Sequence, residues 1–278
     1  MFFEDASTII KLTDSEFNFI VQLVSQRYGI DLSQKRRLIE ARLASELKAH
    51  GYTSYSQYIN LLKNDPHSDK IDTFINKITT NYSYFFREMD HYDFLASTVV
   101  PALVATKKNS IKIWSAGCST GEEPYNIAMA LDSALGMNRG MWNISVTATD
   151  VSTRALTVAK AGIYPESELN SMPPAWKNNY MEKLPDGNFK VIDRIRKLVS
   201  FSKFNLMDPF PQKNFYDVIF CRNVMIYFKA KTTEALIQKF YQSNTEGGYL
   251  FIGHSESISR LDSEYTYIRP AIFRKIKK

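Results

Sequence analysis

Residues 111–130 read IKIWSAGCSTGEEPYNIAMA, and the fold turns on them. Ile111, Ile113 and Trp114 predict a buried strand, residues 115–121 a turn of small side chains, and the stretch from Glu122 an amphipathic helix. Strand–turn–helix units of this kind start many α/β sheets, whose ligands sit at the carboxyl ends of the strands, where such a turn lies. Small residues, Gly117 among them, let the backbone approach a ligand closely. The turn carries neither the G-x-G-x-x-G of a dinucleotide site nor the G-x-x-x-x-G-K-[ST] of a phosphate loop. Glu122 and Glu123 open the helix instead. Two carboxylates complement the positive end of a helix dipole and would repel a phosphate. The turn therefore expects a ligand that is not held by phosphates, a cationic one for example.

Residues 143–150, NISVTATD, predict the next strand and put Asp150 at its carboxyl end. An acid there typically receives the two hydroxyls of a ribose. A ribose without phosphate, beside acids that suit positive charge, describes an adenosine-type cofactor, and S-adenosylmethionine carries a cationic sulfonium. A second reading stands beside this one: Glu122 and Glu123 stabilise a helix start, and Asp150 caps the following helix.

Bulk properties narrow the class. The chain has 278 residues, 44% hydrophobic and 23% charged, an ordinary globular composition with room for one large or two smaller domains. No apolar run reaches the length of a membrane span. The first residues, MFFEDASTIIKL, lack the basic–apolar–small order of a signal peptide. Two cysteines, Cys118 and Cys221, each beside a strand end, fit reduced thiols in a cytoplasmic protein better than a disulfide framework. The four histidines are scattered without zinc spacing, so no metal is expected. The net charge of +6 arises after residue 90 and is too mild to mark a nucleic-acid surface.

Along the chain, residues 13–16 (TDSE) form a capping box ahead of a helix that Tyr28-Gly29 ends. Residues 32–50 predict a second helix, apolar at Leu38, Ile39, Leu43 and Leu47 and basic at Lys35, Arg36, Arg37, Arg42 and Lys48. Two shorter helices flank the breaker Asn64-Asp65-Pro66, completing an all-α domain over residues 1–80. Residues 81–110 read as a linker and lead-in helix. From 111 to the end an α/β domain follows, with strands at 216–221 and 249–253 and a closing hairpin from 265. Residues 189–191 and 198–201 alternate like strands around a Pro185-Asp186-Gly187 turn, predicting a small antiparallel insertion over about 180–203.

Six stretches, in one collinear order, resemble the chemotaxis receptor methyltransferases, the CheR family: TTNYSYFFRE (79–88), IWSAGCSTGEEPYNIAM (113–129), ATD (148–150), NL (205–206), DVIFCRNVMIYF (217–228) and GYLFIGHSE (248–256). The resemblance implies an N-terminal all-α domain joined to a class I S-adenosylmethionine-dependent, Rossmann-like methyltransferase domain with a small antiparallel β-subdomain. It implies methyl transfer to glutamate side chains of chemoreceptor cytoplasmic helices, forming methyl esters. The alternative is a degenerate module that binds cofactor or docks on receptors without turnover. Carried over residue by residue, Asn81, Ser83 and Arg87 are linker contacts to the cofactor, Ser83 standing where the family usually has Thr. Gly117, Glu123 and Asp150 contact it from the first two strands. Asn205, Leu206, Arg222 and Asn223 line its adenine and methyl sides. Arg87 and Tyr227 are the catalytic candidates. Lys35, Arg36 and Arg42 match a receptor-docking surface, although Ser45 and Glu46 stand where the family often has basic residues. The subdomain turn at 184–188 is short, so no grip on a receptor C-terminal tether is expected. Neither nucleic-acid binding nor membrane insertion is expected, and a monomer is.

Overall fold

The computed structural model describes residues 10–64, 69–106, 108–258 and 263–276. The chain divides into two compact units, Met1–Thr80 and Asn81–Lys278.

The first unit is helical: α1 (Asp14–Tyr28), α2 (Arg36–Ala49), α3 (Tyr55–Asn64) and α4 (Asp69–Ile78). The capping box forms, with Thr13 Oγ1 accepting from the Glu16 amide and Glu16 Oε2 accepting from the Thr13 amide at 2.8 Å. Gly29, at φ 73°, stops α1 in the left-handed region that glycine reaches without strain. Ile20, Val24, Ile39, Leu43 and Phe74 fill the core. The second helix starts at Arg36 rather than 32, because Leu32 is buried and its carbonyl accepts from Lys35 in a preceding turn. Asp65 and Pro66 of the breaker lie outside the described residues.

Two of the three basic docking residues are engaged within this unit. Arg36 donates to the Leu12 carbonyl at 2.8 Å and to Asp14 at 2.6 Å, and lies over the Phe17 ring. Arg42 donates to the Ile78 carbonyl and to Thr80 Oγ1. Lys35, Arg37 and Lys48 remain exposed. Glu46 faces inward, 8% exposed and 3.5 Å from both Lys77 Nζ and His50 Nδ1, so it does not add an acidic patch to the exposed face.

The second unit opens with a helix in three parts: α5 (Asp90–Phe94), a π turn (Leu95–Val99) and α6 (Val100–Ala105). Among the described residues ten strands follow: β1 (Ser110–Ala116), β2 (Asn143–Asp150), β3 (Ile163–Tyr164), β4 (Met181–Lys183), β5 (Phe189–Val191), β6 (Val199–Lys203), β7 (Tyr216–Cys221), β8 (Asn244–Ile252), β9 (Thr266–Arg269) and β10 (Ile272–Arg274). Between them run α7 (Glu122–Leu135), α8 (Thr153–Ala161), α9 (Pro174–Tyr180), α10 (Asp193–Arg196) and α11 (Ala230–Ser243). Seven strands form one sheet in the order β6-β2-β1-β7-β8-β10-β9, with the first five parallel and β10 antiparallel to its neighbours. Successive side chains of a strand face opposite ways. Ile111, Ile113, Val218 and Phe220 accordingly join one core with α7 residues such as Ile127 and Leu131. Trp114, Ile219 and Cys221 join the other with Leu236, Ile237 and Phe240 of α11. Burial on both faces explains why β7 is apolar along most of its length.

A smaller antiparallel sheet has the order β3-β5-β4. Here the structure differs from the expectation. Val199–Lys203 does not belong to it: this strand pairs in parallel with β2, Val146 opposite Val199, at the edge of the main sheet. Alternation within a few residues says that a strand exists and not which strand it pairs with. The short helix α10 carries the chain from the small sheet to the large one. Among the described residues no helix is long and apolar enough to cross a membrane.

Candidate active site

Strand order reverses on either side of β1, which has β2 on one flank and β7 on the other. The crevice at such a switch point, outside the carboxyl ends, is where open α/β sheets bind ligands. The turn that leaves β1 is pinned there by its backbone. The amides of Gly117 and Cys118 both donate to the Thr149 carbonyl, at 2.8 and 2.9 Å. Gly117 has φ 91°, and a Cβ on it would collide with the Val224 side chain, so this position needs glycine twice over.

Asp150 joins the turn to the second strand. Its Oδ2 accepts from the Ser119 amide and its Oδ1 from the Ser152 amide, both at 2.8 Å. The Val151 amide is a third donor to this carboxylate, which leaves about one of its four lone-pair sites for a ligand. Burial raises the Asp150 pKa above its ordinary value, while the Ser152 and Ser119 amides act in the opposite direction. Ser119 is itself left-handed at φ 50°, and its buried hydroxyl has no partner among the described residues.

The two acids that open α7 have different surroundings. Glu122 is 2% exposed and accepts from Thr120 Oγ1 at 2.8 and 2.9 Å, with the Ser83 hydroxyl as a further partner. Glu123 accepts from Ser115 Oγ at 2.7 Å and from Arg222 Nη1 at 3.0 Å. Burial raises the pKa of both, with Arg222 opposing it at Glu123. They occupy the first turn of α7, so the helix-start reading and a place in the site hold together.

Arg222, the first residue beyond β7, is 6% exposed. It donates to Glu88 Oε2 from Nε and Nη2, to the Tyr92 hydroxyl and Glu123 from Nη1, and to the Arg87 carbonyl from Nη2. A guanidinium has five N–H donors, and these bonds engage all of them. Burial disfavours its charge, but Tyr92, Glu123 and Glu88 outweigh that and its pKa rises. Its side-chain donors are therefore all engaged with protein. What it does is fasten the linker at 87–88 to α7 and to the end of β7.

The next loop is held by one carboxylate. Glu256 Oε2 accepts from the amides of Asn223 at 2.9 Å and Gly253 at 2.6 Å, and Oε1 from those of Met225 at 2.7 Å and Ile226 at 3.2 Å. Asn223 is left-handed at φ 59° and lies so close to Gly253 that a Cβ there would strike it. Tyr227 ends a single 3-10 turn, Met225–Tyr227, and is 37% exposed. Phe86, Glu88, Ser119 and Asn223 all have positive φ without being glycine. Such costly conformations persist where surrounding contacts over-determine them, and they cluster at functional sites.

The linker completes the rim. Phe85 packs edge-on to Tyr164 and Phe86 edge-on to Trp176, each at 4.9 Å, while Asn81 and Ser83 alternate with the exposed Tyr82 and Tyr84. Arg87 reaches back to the Tyr82 carbonyl at 3.4 Å and lies over the Tyr84 ring. Beyond β6, the Phe204 amide donates to the Asp150 carbonyl, which brings Asn205 and the buried Leu206 beside the end of β2. Lys239 Nζ holds that loop through the carbonyls of Leu206, Met207 and Asp208.

Comparison with known proteins gives this arrangement a family. The profile described as the CheR methyltransferase all-alpha domain matches residues 15–79, and the CheR methyltransferase SAM binding domain matches residues 81–272. The chain belongs to the CheR methyltransferase family. The chemotaxis protein methyltransferase of Borreliella burgdorferi is 43% identical over 272 residues, covering 96% of each chain. That of Escherichia coli is 37% identical over 262 residues, covering 92% of this chain and 89% of its own. That of Salmonella typhimurium is 38% identical over 266 residues, with coverages of 92% and 88%.

The residues present fit the cofactor that this CheR domain implies. A turn at Gly117 with no room for a Cβ, a buried carboxylate with acceptor capacity left and a buried serine hydroxyl without a partner among the described residues lie together at the ends of β1 and β2. The site also contains residues that the sequence reading did not single out: Glu88, Tyr92 and Glu256. Glu88 lies in the FFRE stretch and Glu256 in GHSE, but the Glu88–Arg222 pair is separated by 134 positions and nothing local announces it.

Proposed function

We propose that this chain transfers a methyl group from S-adenosylmethionine to glutamate side chains of chemoreceptor cytoplasmic helices, giving glutamate 5-O-methyl esters, in the cytoplasm. The observation that carries the reading is the acid-lined turn at the switch point, tied through Ser119 to Asp150, in a chain of the CheR family. Gly117, Glu123, Asp150, Asn205, Leu206, Arg222 and Asn223 line the cofactor, with Asn81, Ser83 and Arg87 closing it from the linker, and Asp150 takes the ribose hydroxyls. When bound, S-adenosylmethionine supplies an electrophilic methyl group on a cationic sulfur.

The protein's own task is alignment and exclusion of water. A glutamate side chain has an ordinary pKa of about 4.3 and is already a nucleophilic anion at neutral pH. No general base is required. Arg87 stays protonated, so its role is to hold a carboxylate, that of the cofactor or that of the substrate. Tyr227, on the short turn beside Asn223, forms the substrate side of the centre. Phe85 and Phe86 are buried in the core and fix the path of the linker rather than lining the opening. Receptor docking falls to the exposed Lys35, Arg37 and Lys48, with Arg36 and Arg42 organising the helix that bears them.

The test is transfer of radiolabelled methyl to receptor-enriched membranes, followed by base treatment. Release of methanol is expected, and Arg87→Ala is expected to abolish transfer with an unchanged unfolding midpoint. A base-stable product, or no transfer by a chain that binds cofactor, overturns the reading. Full turnover in Arg87→Ala removes that residue from the chemistry.

A further inference from the structure

Two histidines far apart in the sequence meet in the second unit. The rings of His91 and His254 stand edge to face with centroids 4.8 Å apart. Glu88 Oε2 lies 3.5 Å from His91 Nδ1, and ligand atoms of Glu88, His91 and His254 lie within 4.8 Å of one another. Asp90 Oδ2 is 3.4 Å from His254 Nε2.

His91 is the informative member. It is 0% exposed, and neither ring nitrogen has a hydrogen-bond partner among the described residues. Natural proteins rarely leave a buried polar group without a protein partner, water or ion. Two acids, Glu88 and Asp90, stand at the cluster against Arg222 and Arg269, so an ion there must draw Glu88 away from Arg222.

We propose that Glu88, His91 and His254 bind a divalent transition-metal ion of the zinc class, with Asp90 in reach as a further ligand, and that the ion competes with Arg222 for Glu88. Two imidazoles, one carboxylate and a water make a set that zinc, cobalt and nickel accept, whereas magnesium and calcium prefer oxygen alone. Closing the cluster to a tetrahedron, with ligand atoms about 3.4 Å apart at bond lengths near 2.1 Å, requires a modest swing of the His254 side chain, which is 45% exposed. Because Glu88 also pairs with Arg222, the bound ion loosens the anchor of the linker and of Glu123. This consequence rests on the function proposed above; the metal site itself does not.

The experiment titrates Zn²⁺ and Co²⁺ into the full chain, read by calorimetry and by the visible absorption of Co²⁺, and follows methyl transfer in parallel. One ion per chain is expected, with loss of turnover as the site fills. His254→Ala is expected to weaken binding by about tenfold or more, to retain metal-free turnover, and to resist inhibition by the metal. His50→Ala, in the other unit, is the control and should bind normally. No saturable binding, or equal affinity in His254→Ala, overturns the site. Binding that depends on His254 but leaves turnover untouched overturns the competition with Arg222.

Discussion

The turn after β1 and the loop after β7 touch at Gly117 and Val224, yet they are held by opposite means. The first is built from its own neighbourhood. Two backbone amides reach across to Thr149, a glycine takes the left-handed conformation, and the acid at the end of the adjacent parallel strand ties the turn down. The second has one 3-10 turn of its own, the Tyr227 and Phe228 amides donating to the Val224 and Met225 carbonyls, and is otherwise held by side chains. Arg222 is fastened by Glu88 and Glu123, and the amides that follow are gathered by Glu256. The turn proposed to cradle the cofactor is thus made largely of backbone geometry. The loop proposed to meet the substrate is held by buried charges from elsewhere in the chain.

The sharpest way to break this contrast is to remove the arginine. Arg222→Met keeps much of the volume but leaves Glu88 and Glu123 facing each other without a counter-charge, both with side chains only 12–13% exposed. Breaking a buried pair from one side typically costs about 3–5 kcal/mol. Urea unfolding followed by tryptophan fluorescence should show a loss in that range. A loss under about 1 kcal/mol, the value of an exposed pair, would mean that Arg222 does not fasten the loop.

The same contrast explains what could be read from the sequence. Strand, turn and helix over residues 111–130 were legible because each is encoded by adjacent residues, and so was Asp150, the last residue of its strand. The capping box at Thr13 was legible for the same reason. Three things were not. Val199–Lys203 was assigned to the small sheet, since a short alternating run does not name its partner. The five side-chain bonds of Arg222 reach segments far from it in the chain, which no local pattern announces. Glu256 was seen only as part of a motif, and His91 and His254 as scattered residues, because their partners are supplied by the tertiary fold.

Asp150→Ala probes the local half of the comparison. The substitution removes the acceptor of the Ser119 and Ser152 amides and the proposed partner of the ribose. Hydrogen bonds to a charged group contribute about 1.5–3 kcal/mol each, so affinity for S-adenosylhomocysteine should fall by about a hundredfold or more. Calorimetry reads this directly, and wild-type affinity would end the ribose assignment. The Glu256 anchor shares no partner with this carboxylate, so the two substitutions should add in their effects on stability.

Glu256→Gln is the subtlest of the three. The amide keeps one oxygen but turns an N–H donor toward amides that need an acceptor, an expected cost of about 1–3 kcal/mol. With the β1 turn intact, affinity for S-adenosylhomocysteine should stay within about twofold while kcat falls, and a parallel loss of both would show that the two loops are not separately held. Acid adds a second readout. Burial raises the Glu256 pKa above its ordinary value, opposed by the amides of Gly253, Asn223, Met225 and Ile226. A raised carboxyl pKa means that the folded chain takes up the proton before the unfolded chain does. Between those two pKa values this group's contribution to stability therefore grows as pH falls. The loop nevertheless loses acceptor strength on protonation. Turnover should then decline on the acid side while the fold holds, and the decline should be less steep in Glu256→Gln, which has no proton to gain there. Equal acid limbs in the two proteins would show that the carboxylate charge is not what keeps Asn223 and its neighbours in place.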